Sequence, residues 1–427
     1  MTQPKIAVDL ILKKLTESTE QVKSRAQKAS EVLLSPLKTD LATTPYEVVL
    51  EIDRVRLKYY RPEKIKHKIP LLVVYALINR ETMLDLQPGR SVVQTFLDHG
   101  IEVYMIDWGY PTRKDRFVTI DDHVNIYMDD CIDFIRNQHG LPKINLMGIC
   151  MGGAFSVMYS SLHPEKIKNL VTTVTPTNFD TDTGLLHVWM KNTCALNMGD
   201  AYGNMPGDLM NLGFLLLNPA RLMIDKYIGF FEHMDNKAFV ENFVRMEKWI
   251  FDSPDVPAAT FRQFIEDCYK KNLLIQSRME LGGRRVALEK ITMPLLNIYG
   301  KYDHLVPPEA CELLTRHVGS KDKEDICLNT GHIGIYVSSK CQELFAPKIA
   351  GWLKEREKKK TAEKKASAKK TTDRKTGGKA APAKVVSEKK AGAKAATGKK
   401  KVASAKKTAT RKSATEKTKT RSAAAKK

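Results

Sequence analysis

The stretch KINLMGICMGGAFSVMYSSL, residues 143–162, decides the fold. Its first six residues, KINLMG, read as a strand. A glycine-rich turn, Gly148-Ile149-Cys150-Met151-Gly152-Gly153, follows at once. The remainder, 151–162, reads as a helix. A tight strand–turn–helix with a nucleophilic side chain at its centre is a nucleophile elbow, here with Cys where G-x-S-x-G carries Ser. The glycines have a mechanical reason. Side chains at those positions would collide with the neighbouring strand and helix. The helix start aims backbone N–H groups and a positive dipole at the thiol, which favours a thiolate and later an oxyanion. Taken alone, the turn also suits a buried structural cysteine.

Outward from this turn the same alternation repeats. IPLLVVYAL (69–77), IEVYMID (101–107) and IKNLVTTVT (167–175) read as strands, with helices around 90–99 and over 121–139. Strands alternating with helices predict a parallel sheet with helices on both faces. The alternation stops between Pro176 and Pro294. That span is rich in Leu, Met and Phe, with helical character at 207–232 and 236–251. An ordinary crossover needs only about a dozen residues, so this is an insertion of the size of a cap or lid. PLLNIYG (294–300) and EDICLNT (324–330) resume the strands, and 344–357 reads as a closing helix.

Both resumed strands end in a residue the elbow needs. Asp303 follows the first, in GKYDHLVPP, and His332 follows the second, in NTGHIGIY. Nucleophile, acid, histidine is the chain order of an α/β-hydrolase fold. The sequence therefore predicts that fold, with a large helical cap inserted between sheet strands and Cys150, Asp303 and His332 as a triad. Met151 and Ile78 are the candidate backbone oxyanion donors, Ile78 because it lies in the loop after strand 69–77. His304 is a secondary candidate. Asp107 ends a strand but precedes the nucleophile, and reads as structural.

Charge divides the chain. It has 427 residues and a formal charge of +21. Residues 356–427 hold 27 Lys/Arg against 5 Asp/Glu, leaving 43 basic and 44 acidic side chains on residues 1–355. The body is thus nearly neutral and the tail strongly basic. The tail has no Phe, Trp, Tyr, Leu, Ile or Met, so it cannot bury enough apolar area to fold and is expected to be disordered. The expected organisation is an amphipathic helical segment over 1–40, core over 41–176, cap over 177–290, core over 291–355 and tail over 356–427. In the first segment Ile6, Leu10, Leu12, Leu15 and Val22 lie along one stripe.

Other classes drop out. MTQPKIAVD has no uninterrupted apolar run for a signal peptide, and no charge-free apolar stretch of about 18 residues predicts a transmembrane helix. Seven scattered cysteines without a C-x-x-C pair argue against a disulfide framework or zinc ribbon, and for a reducing cytoplasm. No metal or cofactor is expected.

The set GICMGG (148–153), YALINRETMLDLQPGRS (75–91), VYMIDWGYPTRKDR (103–116), NFVRMEKWIFDSP (242–254), DHLVPP (303–308) and TGHIGIY (330–336) resembles the catalytic subunit of polyhydroxyalkanoate synthases. The resemblance covers roughly residues 40–355 and is nearest the two-subunit class III kind, with class IV close. It implies Cys150 as acyl carrier, His332 as base and Asp303 as third member, with a further role for Asp303 in activating the substrate hydroxyl. It implies (R)-3-hydroxyacyl-CoA as substrate, usually short-chain such as 3-hydroxybutyryl-CoA. Polyester and free CoA are the products, and a granule surface and a second synthase subunit the partners, with a homodimer as candidate assembly. Two other readings remain open at this stage. One is a lidded thioesterase or lipase-like enzyme on the same fold. The other is a granule-associated DNA-binding protein with an inert hydrolase body. The Lys/Ala tail is outside the family pattern. Its runs resemble histone-like tails, so non-specific DNA binding through 356–427 and a nucleoid-associated granule are expected.

Overall fold

The computed structural model describes Glu20, residues 23–181, 183–194, Met198, 201–338, Lys340 and 343–358. The apolar stripe expected between Ile6 and Val22, and the tail from 359 on, lie outside the described residues. Eight strands form the main sheet. They are β1 (Glu47–Ile52), β2 (Val55–Tyr60), β3 (Leu71–Val74), β4 (Val103–Asp107), β5 (Ile144–Ile149), β6 (Ile167–Thr173), β7 (Leu295–Gly300) and β8 (Lys323–Leu328). Their spatial order is β1-β2-β4-β3-β5-β6-β7-β8. The first three of these pair antiparallel, and the strands from β4 to β8 all run parallel.

Parallel strands need crossovers, and these are supplied by helices α1 (Val92–Asp98), α2 (Met128–His139) and α3 (Met151–Leu162). Ser91 caps α1 by accepting a hydrogen bond from Gln94 N at 2.9 Å. Gly140, at φ +60°, ends α2 in the left-handed conformation that glycine adopts without steric penalty. Every residue of β3, β4, β5 and β7 is buried. That is why β3 reads as a continuous apolar run, while the buried Asn145 and Asn297 of β5 and β7 are hydrogen-bonded.

The β1–β2 hairpin was not anticipated. Glu47–Ile52 is a half-exposed edge strand whose apolar run is only the three residues Val48, Val49 and Leu50. In β2 the pattern is broken by Lys58, a lysine only 3% exposed. Its ammonium pairs with Glu81 at 2.5 Å and Asp107 at 3.1 Å. A buried ion pair thus occupies a position that hydropathy assigns to the surface. The N-terminal helix also ends earlier than expected. Residues 23–34 are helical, and no helix continues from Pro36 to Pro45, since proline removes a backbone donor and clashes with the preceding turn.

Between β6 and β7 the chain leaves the sheet for helices α4 (Leu185–Asn192), α5 (Gly207–Leu216), α6 (Lys226–His233) and α7 (Lys237–Phe251). Asn236 caps α7 by accepting from Phe239 N at 3.2 Å. The chain returns through Ala258–Gln263 and a π-helical turn over Phe264–Lys270. Among the described residues no helix is long and apolar enough to cross a membrane.

Candidate active site

Because β5, β7 and β8 are parallel, the residues that follow them emerge along one edge of the sheet. Cys150 follows β5 directly. Its backbone sits at φ 52°, ψ −120°, a conformation sparsely populated by non-glycine residues and worth on the order of 1–3 kcal/mol of strain. The turn is held from both sides. Cys150 N donates to Thr173 O at 2.9 Å, and Ala154 N donates to Cys150 O at 3.1 Å. Glycine is required at three places here; a Cβ on Gly148 would strike the Gly153 backbone and the Ser156 side chain. A Cβ on Gly152 would strike the carbonyl oxygens of Val74 and Tyr75, and one on Gly153 would strike Thr175 Oγ1. The close approach of α3 to the end of β3 depends on Gly152, and its approach to the segment after β6 depends on Gly153.

The histidine and the acid complete the edge. His332 Nδ1 lies 2.7 Å from Asp303 Oδ2, with both side chains buried. The other carboxylate oxygen, Asp303 Oδ1, accepts from Leu305 N and Val306 N, each at 2.9 Å. These bonds fix the carboxylate and aim its free oxygen at the ring. Burial works against a charge on His332. The Asp303 carboxylate and then Cys150, each also through a hydrogen bond, outweigh it and hold the imidazole up at about 10. With the proton on His332, the arrangement is that of an imidazolium beside a nucleophilic sulfur.

The other sequence candidates are placed as follows. Met151 is buried at the first turn of α3. Ile78 is half-buried in the loop leaving β3, three residues past Tyr75. His304 is exposed, beside Asp303, His332 and Arg221. Asp107 is buried and accepts from Arg80 and Arg56, beside Lys58. A cavity of about 480 Å³ lined by residues including Thr119, Asp121 and Arg262 contains none of the candidate catalytic side chains.

Several residues near the site are not among the sequence candidates. Tyr336 Oη lies 2.9 Å from Thr173 Oγ1, beneath the nucleophile turn. Tyr269 is buried, and burial first and then Cys150 raise its phenol. Its ring packs on Phe179 at 4.9 Å and on His187 at 5.3 Å. His187 is fully buried, pushed down to about 4 by burial and then by Lys191, and neither ring nitrogen has a partner among the described residues. These residues come from the cap or from turns far along the chain, where only folding makes them neighbours.

Comparison with known proteins matches residues 69–338 to the family described as alpha/beta hydrolase fold. Residues 7–96 match the family described as Poly-beta-hydroxybutyrate polymerase (PhaC) N-terminus. The chain is 45% identical to the poly(3-hydroxyalkanoate) polymerase subunit PhaC of Allochromatium vinosum, over 82% of this chain and 99% of that one. The chain belongs to the PhaC family. The PhaC subunit of Thiocystis violacea is 43% identical over 82% of this chain and 99% of its own length. That of Synechocystis sp. is 44% identical over 74% of this chain and 85% of its own. Membership makes this PhaC-family chain an acyltransferase on an α/β-hydrolase fold, in line with the strand–turn–helix at Cys150.

Proposed function

We propose that the chain polymerises (R)-3-hydroxyacyl-CoA, with 3-hydroxybutyryl-CoA as the expected unit, into polyester through a thioester on Cys150. The observation that carries this reading is the 2.7 Å contact of His332 with Asp303 on the same sheet edge as the strained Cys150 turn. Cysteine suits a thioester substrate, since acyl transfer from CoA sulfur to enzyme sulfur is nearly neutral in energy and keeps the acyl group activated.

The steps balance on the residues present. The Cys150 sulfur attacks the thioester carbonyl, and its oxyanion is met by the backbone N–H groups of Met151 and Ile78. The carbon–sulfur bond to CoA breaks, and His332 gives its proton to the departing CoA thiolate. Acylation removes the Cys150 charge, one of the influences that hold the proton on His332. The imidazole is then free to take the proton of a 3-hydroxyl, from a second hydroxyacyl unit or the chain end. That oxygen attacks the acyl-Cys carbonyl, and Cys150 leaves as thiolate beside a reprotonated His332. A cap over the site excludes water, the competing nucleophile. Asp303 orients His332 and takes part in activating the hydroxyl. No cofactor is required, because the CoA thioester is itself the substrate.

Incubating the full-length chain with 3-hydroxybutyryl-CoA, with and without candidate second subunits, tests the reading. CoA release and turbidity are expected together, with greater activity when a class III-type partner is present. Free 3-hydroxybutyrate without polymer would instead identify a thioesterase.

Asp303→Asn should separate the half-reactions. If Asp303 acts mainly on the hydroxyl, Cys150 still acylates and releases a first burst of CoA while chain growth slows by about 10²-fold or more. Rapid-quench measurement of the burst checks this, and a burst lost in step with elongation would leave Asp303 only the orienting role.

For the tail we propose non-specific binding of duplex DNA by residues 356–427, which would set polymer granules against the nucleoid. The support is its net charge of +22, with no aromatic residue to stack on bases. Deleting residues 358–427 should leave active enzyme that no longer binds DNA. If about eight cations engage, raising salt from about 50 to about 200 mM should weaken full-length binding on the order of 10⁴-fold. Equal binding by both forms in a gel-shift titration would remove the tail from this role.

A further inference from the structure

We infer that the cap sets the oxyanion loop through a clamp of Asn79, Asn211 and Trp249, which makes these three side chains positioning residues for acyl transfer at Cys150. The inference rests on the polymerase reading above and on Ile78 as an oxyanion donor. The loop Leu77–Arg80 leaves β3 beside the start of α3, where Gly152 touches the carbonyls of Val74 and Tyr75. Asn79 follows Ile78 at φ +57°, a left-handed backbone that asparagine tolerates better than most side chains but that still needs support.

For the Asn79 side chain the support comes from the cap. Asn79 Nδ2 donates to Ile250 O at 3.1 Å and lies 3.4 Å from Asn211 Oδ1. Asn211 Nδ2, on α5, donates to the same Ile250 carbonyl at 2.6 Å. One residue earlier on α7, Trp249 Nε1 donates to Arg80 O at 2.8 Å, with its ring buried. From the sheet side, the Arg80 guanidinium bonds Glu81 and Asp107 and stacks on Tyr110, whose hydroxyl donates to Asp252 at 2.5 Å. The two residues after Ile78 are therefore gripped from above by α5 and α7 and from below by a buried ion cluster. An oxyanion donor works only where the N–H is already aimed at the developing charge, so an error of a few tenths of an ångström in this loop weakens the transition state more than the ground state.

This predicts a split between two reactions of the same sulfur. Alkylation by iodoacetamide is a displacement that forms no oxyanion, whereas acylation by 3-hydroxybutyryl-CoA forms one. In the full-length chain, Asn79→Gly keeps the left-handed backbone accessible and deletes the clamp, and Trp249→Phe keeps the ring and deletes its N–H. Both variants should alkylate at the Cys150 peptide, followed by mass spectrometry, within about twofold of the wild type. Acylation in rapid quench should fall about ten- to a hundredfold in kcat with KM little changed, part of the 10²–10³ that removal of a whole oxyanion donor produces. Trp249→Phe, the milder change, guards against a folding failure in Asn79→Gly. Unchanged acylation, or alkylation and acylation falling equally, would overturn the clamp. A wild-type chain that alkylates but is never acylated would instead overturn the polymerase reading itself.

Discussion

Cys150→Ala is expected to release no CoA from 3-hydroxybutyryl-CoA and to take up no acyl label. The reason is geometric as well as chemical. Among the described cysteines it is Cys150 that sits at the elbow, and its sulfur helps to hold the proton on His332. Among the other described cysteines, Cys131, Cys268 and Cys311 are buried, with burial pushing each thiol up, and Cys194 and Cys327 are exposed; Cys311 belongs to the small cluster on which Cys150 packs, but its thiol is held well above the ordinary range. Removing the nucleophile of an acyl-transfer triad lowers turnover on the order of 10⁴–10⁶-fold. Cys150→Ser should recover little, because a hydroxyl is a far weaker nucleophile than a thiolate at neutral pH. Quenched-label mass spectrometry decides the point. Acyl label retained at another cysteine in Cys150→Ala would transfer the nucleophile's role elsewhere.

His332→Gln is expected to suppress acylation by about 10²–10⁴-fold, the usual share of a positioned acid–base group. Glutamine keeps a polar side chain opposite Asp303 but can neither protonate the CoA sulfur nor accept the hydroxyl proton. The same substitution should change how stability depends on pH. His332 is held at about 10 in the folded chain, above its ordinary 6.5. Its contribution to stability is therefore complete below about pH 6.5 and is lost as pH rises from there towards about 10. Thermal melts between those limits should show the wild type losing stability with rising pH and His332→Gln losing less of it. Parallel melting curves would mean that the proton on His332 is not tied to folding.

Much of the site was legible because it depends on local rules. A nucleophile between glycines, after one buried strand and before a helix, is visible at 143–162. Asp303 and His332 each stand a few residues past a strand, and a parallel sheet brings such positions to one edge whatever their separation in the chain. The strands β3, β4, β5 and β7 read correctly because both of their faces are covered and most of their residues are apolar.

The β1–β2 hairpin escaped because its evidence is not local. Lys58 is tolerated in the interior only through Glu81 and Asp107, residues that folding brings to it from other elements. The same holds for the loop after β3. Ile78 could be nominated from its place after a strand, but its surroundings could not. Asn79 and Trp249 meet across the boundary between sheet and cap, and neither carries a pattern that hydropathy or spacing detects. Sequence alone sufficed for the alternation of strands and helices from β3 onward, the elbow and the three candidate catalytic side chains, since periodicity, glycine sterics and strand ends act over a few residues. The tertiary structure alone decided the buried ion cluster beneath the loop, the residues the cap brings towards Cys150 and the elevated proton affinity of His332. Those depend on burial and on distances between side chains remote in the chain, which exist only once the sheet has closed beneath the cap.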